Sequence, residues 1–130
     1  MKLVEIVTIK KNIPLYKGNE EANKIEIVTL QENAFEIVVQ KELFKENDKA
    51  VFIQPDSCLS KIPLFQSFIE GSYLGKNNRI RAKKFNFHRG DGNSVYSNGI
   101  LLPFYEVQKY LGFPNTEKSN YTELLQITKY

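Results

Sequence analysis

The residues best suited to chemistry in this sequence form a basic stretch in its second half. Six cations and no acidic residue lie in this stretch: Lys76, Arg79, Arg81, Lys83, Lys84 and Arg89. The other 12 basic and 15 acidic residues give the remaining chain a net charge of −3, whereas the whole chain carries +3. A local basic patch on an otherwise acidic chain favours a polyanionic partner.

Residues 79–83 alternate as a strand does. This pattern predicts that Arg79, Arg81 and Lys83 project together while Ile80 and Ala82 point inward. Backbone phosphates would neutralise such a row of like charges and release counterions. Aromatic residues follow the cations, as the stacking of unpaired bases requires. The predicted nucleic-acid contacts are Arg79, Arg81, Lys83, Lys84, Phe85, Phe87, His88, Arg89 and Tyr96. From the charge pattern alone, a solvated strand that resists edge-to-edge pairing is an equal alternative.

Residues 89–92 read Arg-Gly-Asp-Gly, which has the shape of the Lys-x-Asp-Gly motif of covalent nucleotidyltransferases. That chemistry needs an amine that can lose its proton and attack a phosphate. The guanidinium of Arg89 stays protonated and cannot play that part. A turn between strands explains the two glycines and Asp91 equally well. We therefore predict no catalytic residue in this chain.

The other reactive side chains are isolated in the sequence. His88 is the only histidine and Cys58 the only cysteine, so together they cannot supply the three or four ligands of a zinc site. A thiol–imidazole catalytic pair is conceivable, but Cys58 is better explained as a small packing residue. The acidic residues form no paired-carboxylate arrangement, and no glycine-rich phosphate loop is present.

The elements that must position these residues read mainly as short strands. The predicted strands cover residues 3–9, 24–30, 35–39, 50–53, 79–85 and 95–102, with a polar connector at 14–23. Residues 31–33 turn the second strand into the third, and 62–69 suit a helical turn. Helical spacing runs from Phe104 to Leu111, with Gly112 as a C-terminal cap. Five or six strands with one or two short helices predict a mainly β fold, either a sandwich or a small barrel.

Length and composition suit a single domain of 130 residues. One cysteine allows no internal disulfide, and the first residues show no apolar run of signal-peptide length. No stretch approaches the roughly 20 apolar residues that span a bilayer. We therefore expect a soluble, intracellular protein with no membrane partner.

Several separate segments carry a resemblance to a known family. They are residues 23–26 and 35–53, the Asp56-Ser57-x-Leu59 run, the basic residues 79–84, the Ser97-x-Gly99-Ile100-x-x-Pro103 run, and residues 121–130. In these segments the sequence resembles the N-terminal OB module of ATP-dependent RNA ligases in which that module precedes a nucleotidyltransferase domain. Residues 86–95 form a longer loop than the family has, and the chain ends where the nucleotidyltransferase domain would begin.

This resemblance implies an OB-type β-barrel over residues 1–112 and a linker over 113–130. It implies a module that grips RNA or an RNA-containing nicked duplex while its own nucleotidyltransferase domain seals 3′-OH and 5′-phosphate ends. ATP and a divalent metal, magnesium or manganese, are expected in that domain and not in this chain, which is no enzyme on its own.

Two other functions stay open. In the first, the module docks on a catalytic domain through Phe104, Tyr105 and Tyr110 and has little contact with nucleic acid. Exposure of these side chains would favour docking, because an orphaned interface leaves an apolar patch. In the second, the chain is the OB module of another RNA-handling enzyme, such as a tRNA-binding appendage.

Overall fold

The computed structural model describes residues 3–71, 74–112 and 121–130. Within these ranges the strands are β1 (Val4–Lys17), β2 (Glu20–Leu30), β3 (Glu36–Gln40), β4 (Lys49–Ile53), β5 (Ser57–Cys58), β6 (Lys83–Phe85), β7 (Val95–Ser97), β8 (Ile100–Pro103) and β9 (Thr128–Lys129). The α-helices are α1 (Gln66–Glu70), α2 (Phe104–Leu111) and α3 (Tyr121–Leu124), and single 3₁₀ turns cover Pro63–Phe65 and Lys76–Asn78.

Five of these strands form one antiparallel sheet in the order β3-β2-β1-β4-β8. The sheet curls so that β3 approaches β8, and β3 also meets β7 and the turn between β7 and β8. The backbone N–H of Asn98 donates to the carbonyl of Glu36 at 3.0 Å, and the N–H of Val38 donates to Ser97 Oγ at 2.9 Å. The predicted mainly β fold class is therefore confirmed, and the curled five-stranded half-barrel is consistent with an OB-type fold.

The curled sheet buries both of its faces around β4. Ala50 and Phe52 face the inside of the half-barrel, where they pack with apolar side chains of β1, β2 and β3. Val51 and Ile53 point to the opposite face, which α2 and the C-terminal segment cover. Side chains that alternate between two apolar environments explain why four consecutive residues of β4 are fully buried.

The predicted polar connector at residues 14–23 is wrong, because β1 and β2 continue through it as one long hairpin. The chain turns at Gly18, whose φ of +63° suits glycine. Pro14 lies beside a register shift in β1, where a missing N–H is tolerated. The extension has an apolar cluster of its own, in which Leu15, Ile27 and Val95 are buried.

The predicted basic strand at residues 79–85 is also shorter in the structure. Only Lys83–Phe85 forms a strand, and Arg79 makes an isolated bridge with Cys58. Ile80 is buried as predicted, but Ala82 is exposed rather than inward-facing. Because residues 81–82 lie outside a ladder, strict alternation does not apply to them.

The predicted strand at residues 95–102 divides into β7 and β8 at Gly99. Gly99 has a φ of +83°, and a Cβ there would lie 2.6 Å from the carbonyl oxygen of Ile53. This close approach requires glycine and turns the chain from the β6–β7 pair into the main sheet. The helix predicted to end at Gly112 is confirmed, as is the helical structure within residues 62–69.

Residues 121–130 pack against the sheet, whereas residues 113–120 of the predicted linker lie outside the described ranges. Leu125 is fully buried, and Thr122 Oγ1 accepts hydrogen bonds from the backbone N–H groups of Leu3 and Val4 at 3.1 and 3.2 Å. Strand β9 pairs with β5. Within the described ranges, every helix is too short or too polar to cross a lipid bilayer.

Candidate nucleic-acid interface

The basic residues are presented by a small hairpin of β6 and β7 that stands outside the main sheet. Its register pairs Lys83 with Ser97, Lys84 with Tyr96, and Phe85 with Val95. Directly opposed residues share a face, so Lys84 and Tyr96 project together into solvent. Tyr96 is 54% exposed, which leaves its ring accessible to a base. Lys83 and Phe85 lie on the other face of the hairpin.

Three of the predicted cations are exposed on this hairpin and the chain that enters it, namely Arg81, Lys83 and Lys84. In the described part of the chain, neither Arg81 nor Lys84 pairs with a carboxylate. The Lys83 ammonium lies 5.1 Å from the ring centroid of Phe85. The stem of Arg81 passes so close to Gly75 that a Cβ there would lie 2.7 Å from Arg81 Cδ. Arg81 and Lys84 can therefore contact phosphates without losing a carboxylate partner among the described residues.

The guanidinium of Arg79 is engaged within the fold. It donates to Asp56 Oδ1 from Nε at 2.9 Å and from Nη2 at 2.7 Å, and it lies 4.1 Å from the ring centroid of Tyr130. The hydrogen bond to Asp56 raises the pKa of Arg79 above its ordinary value. A phosphate would have to compete with Asp56 for this guanidinium.

Arg89 is likewise engaged, with Glu36 of β3. Arg89 Nη1 donates to Glu36 Oε2 at 2.8 Å, and Nη2 donates to the other carboxylate oxygen. The hydrogen bond from Arg89 holds the pKa of Glu36 below its ordinary value, although burial opposes this shift. The same bond raises the pKa of Arg89. This two-pronged ion pair attaches the loop after β6 to the outer strand of the sheet.

His88 connects the same loop to the β1–β2 turn. Its backbone exchanges two hydrogen bonds with Tyr16, at 2.7 and 2.9 Å. Its Nδ1 accepts from the backbone N–H of Gly90 at 3.0 Å, so Nε2–H donates to the carbonyl of Gly18 at 2.8 Å. Neighbouring Phe87 is half-buried, with the Lys17 ammonium 5.9 Å from its ring centroid. These contacts position the hairpin, while the roles of Arg79, Phe87, His88 and Arg89 in binding nucleic acid stay predictions.

A groove of about 460 Å³ lies between the outer edge of β3 and the basic hairpin. Its floor is apolar, and Arg81 and Lys83 lie at its side with Phe85. The contributing residues are Ile37, Val38, Val39, Gln40, Leu43, Phe68, Leu74, Ile80, Arg81, Lys83, Phe85, Ser97, Gly99, Ile100 and Leu101. Sequence reasoning missed the β3 side of this groove, because the residues of β3 form an ordinary apolar strand and carry no local signal of binding.

The three predicted docking residues lie on α2 and differ in exposure. Tyr105 is 63% exposed and Tyr110 is 40% exposed. Phe104 is half-buried, and its ring meets that of Tyr121 edge-on with 6.5 Å between centroids. Among the described residues, no cluster of three or more histidine, cysteine or acidic side chains could hold a metal ion. Cys58 is buried, as its assignment to packing predicts.

Comparison with known proteins gives a match at the level of structure. No protein-family model and no curated protein matches this chain. A mutant RNA ligase of Naegleria gruberi with ATP and Mn superposes with a TM-score of 0.68 and 24% identity, over 99% of this chain and 35% of that chain. A second mutant of this ligase, with ATP and Mn, superposes with a TM-score of 0.69 and 23% identity, over 100% of this chain and 36% of that chain. A third mutant, in its apo form, superposes with a TM-score of 0.68 and 23% identity, over 100% of this chain and 35% of that chain. The chain thus shares the fold of a part of this ligase and spans about a third of its length.

Proposed function

We propose that this domain binds RNA, or a nicked duplex that contains RNA, through the β6–β7 hairpin. The observation that carries the proposal is the exposure of Arg81, Lys83 and Lys84 on the hairpin and the chain that enters it, with Lys84 directly opposite the exposed ring of Tyr96. Exposed cations supply phosphate contacts, and an exposed aromatic ring supplies a stacking surface for an unpaired base. Because phosphate contacts read no sequence, binding is largely independent of sequence.

The proposed setting is an RNA ligase that acts on breaks in RNA. The shared fold with part of the Naegleria ligase and the match over nearly all of this chain support that setting. This domain would hold the broken strand and position its ends. A nucleotidyltransferase domain, with ATP and magnesium or manganese, would join the 3′-OH to the 5′-phosphate inside the cell. In this arrangement the chain described here contributes binding and orientation, while the covalent steps belong to its partner domain.

Charge reversal at Arg81 tests the proposed interface. Each neutralised phosphate contributes about 0.7 to the dependence of log affinity on log salt for a single strand, and about 0.9 for a duplex. Arg81→Glu should weaken binding by about tenfold or more and lower this slope by about 1, because it removes one contact and repels another phosphate. The measurement is fluorescence anisotropy of a labelled RNA at several salt concentrations.

Lys109→Glu is the matched control for this variant. Lys109 is exposed on α2 and does not line the groove, and its reversal changes the net charge by the same amount. The control should keep the wild-type slope, whereas an Arg81→Glu protein that binds RNA as tightly as the wild type would contradict the assignment. Circular dichroism of both variants checks that the fold is retained.

A second candidate function is docking on a catalytic domain. The exposure of Tyr105 and Tyr110 on α2 favours it, and Leu124 is also 41% exposed. Docking through α2 is compatible with RNA binding through the hairpin. Tyr105→Ala should then reduce affinity for a separately supplied nucleotidyltransferase domain while leaving RNA binding intact. Loss of both, or of neither, would count against an independent docking role.

A further inference from the structure

The outer edge of β3 is closed over one half and open over the other. The N–H of Lys41 donates to the carbonyl of Lys24 at 2.8 Å, and β2 and β3 are antiparallel, which fixes how backbone groups alternate along β3. Ile37 and Val39 therefore direct their N–H and C=O groups to β2, and Glu36, Val38 and Gln40 direct theirs to the outer edge. The bonds from Asn98 to the Glu36 carbonyl and from Val38 to Ser97 Oγ confirm this alternation.

The part of the β3 edge that follows the N–H of Val38 faces the groove. The carbonyl of Val38 and the N–H of Gln40 lie next to each other on this edge, two residues apart, and both residues line the groove. They form an adjacent acceptor and donor. Opposite them stand the half-buried ring of Phe85 and the cations Arg81 and Lys83.

The chemistry of the groove combines three features of a nucleotide site. Its volume of about 460 Å³ lies within the range of roughly 300–1,000 Å³ common for small-molecule sites. Its walls are mostly apolar, with the aromatic ring of Phe85 on one side. Both charged side chains among its lining residues, Arg81 and Lys83, are cations. This charge favours an anionic ligand over a neutral peptide strand added to the β3 edge.

We propose that this groove takes one unpaired nucleobase from the strand that the hairpin holds, an inference that rests on the proposed function. The base stacks on Phe85, its polar edge bonds to the Val38 carbonyl and the Gln40 N–H, and its phosphate lies against Arg81 and Lys83. Every nucleobase carries a donor beside an acceptor on its pairing edge, so this backbone pair accepts any base. The preferred ligand is then a frayed or overhanging nucleotide at a strand end rather than a fully paired duplex.

The test compares three RNA duplexes that differ only at one 3′ end: blunt, with a one-nucleotide overhang, and with the same overhang lacking its base. The two overhangs carry the same phosphates, so the difference between them reports the base alone. Stacking on an aromatic ring predicts that the base-bearing overhang binds about tenfold more tightly than the abasic one. Affinities are measured with the full chain by anisotropy.

Two variants distinguish base binding in the groove from phosphate binding by the hairpin. Phe85→Leu keeps an apolar side chain but removes the ring, so the affinity ratio of base-bearing to abasic overhang should fall towards one. Lys84→Gln, on the other face of the hairpin, should weaken both ligands alike and leave the ratio unchanged. In NMR spectra, the amide proton of Gln40 should shift with the base-bearing overhang and stay in place with the abasic one.

The outcomes distinguish this inference from the function on which it rests. Equal affinity of the wild type for the base-bearing and abasic overhangs would overturn the base site while leaving RNA binding intact. A Gln40 amide that shifts with an extended peptide but not with the overhang would overturn it in favour of strand addition. Failure of all three duplexes to bind would overturn the proposed function itself. If Phe85→Leu does not fold, the wild-type ratio and the Gln40 amide still decide.

Discussion

Glu36 is the residue at which the loop after β6 and the closing edge of the sheet meet. Its carboxylate receives both prongs of the Arg89 guanidinium, and its backbone carbonyl accepts from Asn98. Charge-assisted, two-pronged hydrogen bonds are the stronger kind. The two side chains are 34% and 29% exposed, so solvent screening limits what the pair contributes. Glu36 thereby couples the position of the basic hairpin to the main sheet.

The lowered pKa of Glu36 predicts a change of stability with pH. A carboxyl group whose pKa is lower in the folded state stabilises the fold at neutral pH, and this stabilisation disappears as the pH falls below its ordinary value of 4.5 and through the folded value. Glu36→Gln should therefore reduce the free energy of unfolding by about 0.5–1 kcal/mol near neutral pH and by less in acid. Urea denaturation at several pH values measures both effects.

Glu46→Gln provides the comparison for this prediction. Glu46 is exposed, and its side chain has no partner among the described residues. This variant should follow the wild-type stability at every pH. If the free energy of unfolding of Glu36→Gln differs from that of the wild type by the same amount at every pH down to acid, the ion pair with Arg89 contributes nothing to stability.

The sequence located the cations but not their separate roles. Six like charges in one stretch predict a polyanionic partner, and Arg81, Lys83 and Lys84 are indeed exposed. Arg79 and Arg89 carry the same charge but pair with Asp56 and Glu36, which lie 23 and 53 positions away. No local pattern relates residues so distant in sequence. The division between available and engaged cations therefore depends on the tertiary fold.

At the scale of elements, local periodicity predicted the segments with a strong hydrophobic pattern. The β2–β3 hairpin, β4 and α2 all have such a pattern, and α2 ends at Gly112 as its sequence indicates. Strands β5 and β9 are two residues long and pair with each other from distant parts of the chain. Their existence depends on this distant pairing, so a window of neighbouring residues could not reveal them. The β1–β2 extension was missed because its outward face is polar and contains Pro14.

The C-terminal element supplies a stability prediction. Leu125 follows α3 and is fully buried in the core between the sheet and the helices, whereas its neighbour Leu124 is 41% exposed. Leu125→Ala should lower the free energy of unfolding by about 2–5 kcal/mol, because it leaves a cavity. Leu124→Ala should cost less than about 1 kcal/mol. Chemical denaturation of the two variants, which make the same substitution at adjacent positions, measures the difference.

Equal and small effects of the two substitutions would contradict the packing of residues 121–130 on the sheet. Residues 121–130 would then belong to the linker that was predicted over residues 113–130. A large effect confined to Leu125 would make this segment part of the folded domain. Thr122, which accepts hydrogen bonds from both Leu3 and Val4, ties the same segment to the start of β1.

At the scale of the whole molecule, the charge distribution and the fold point to the same surface. The six cations that reverse the sign of the net charge lie within 14 consecutive positions, and the fold exposes part of this set on a hairpin beside an open sheet edge. Phosphate contacts on the hairpin and a base in the groove would together hold one strand end. The chain shares its fold with part of an RNA ligase, and strand ends are the ligand that we propose.

The central claim is tested most directly by titrating the full chain with three RNAs: a nicked duplex with an RNA 3′-OH, an intact duplex and a folded tRNA. Each titration is repeated at several salt concentrations. We expect the nicked duplex to bind most tightly, with a salt slope of about 2–3 that matches contacts from Arg81, Lys83 and Lys84. A preference for folded tRNA would instead favour a tRNA-binding appendage. Absence of binding to every RNA at low salt would contradict the claim and leave docking through α2 as the function of the domain.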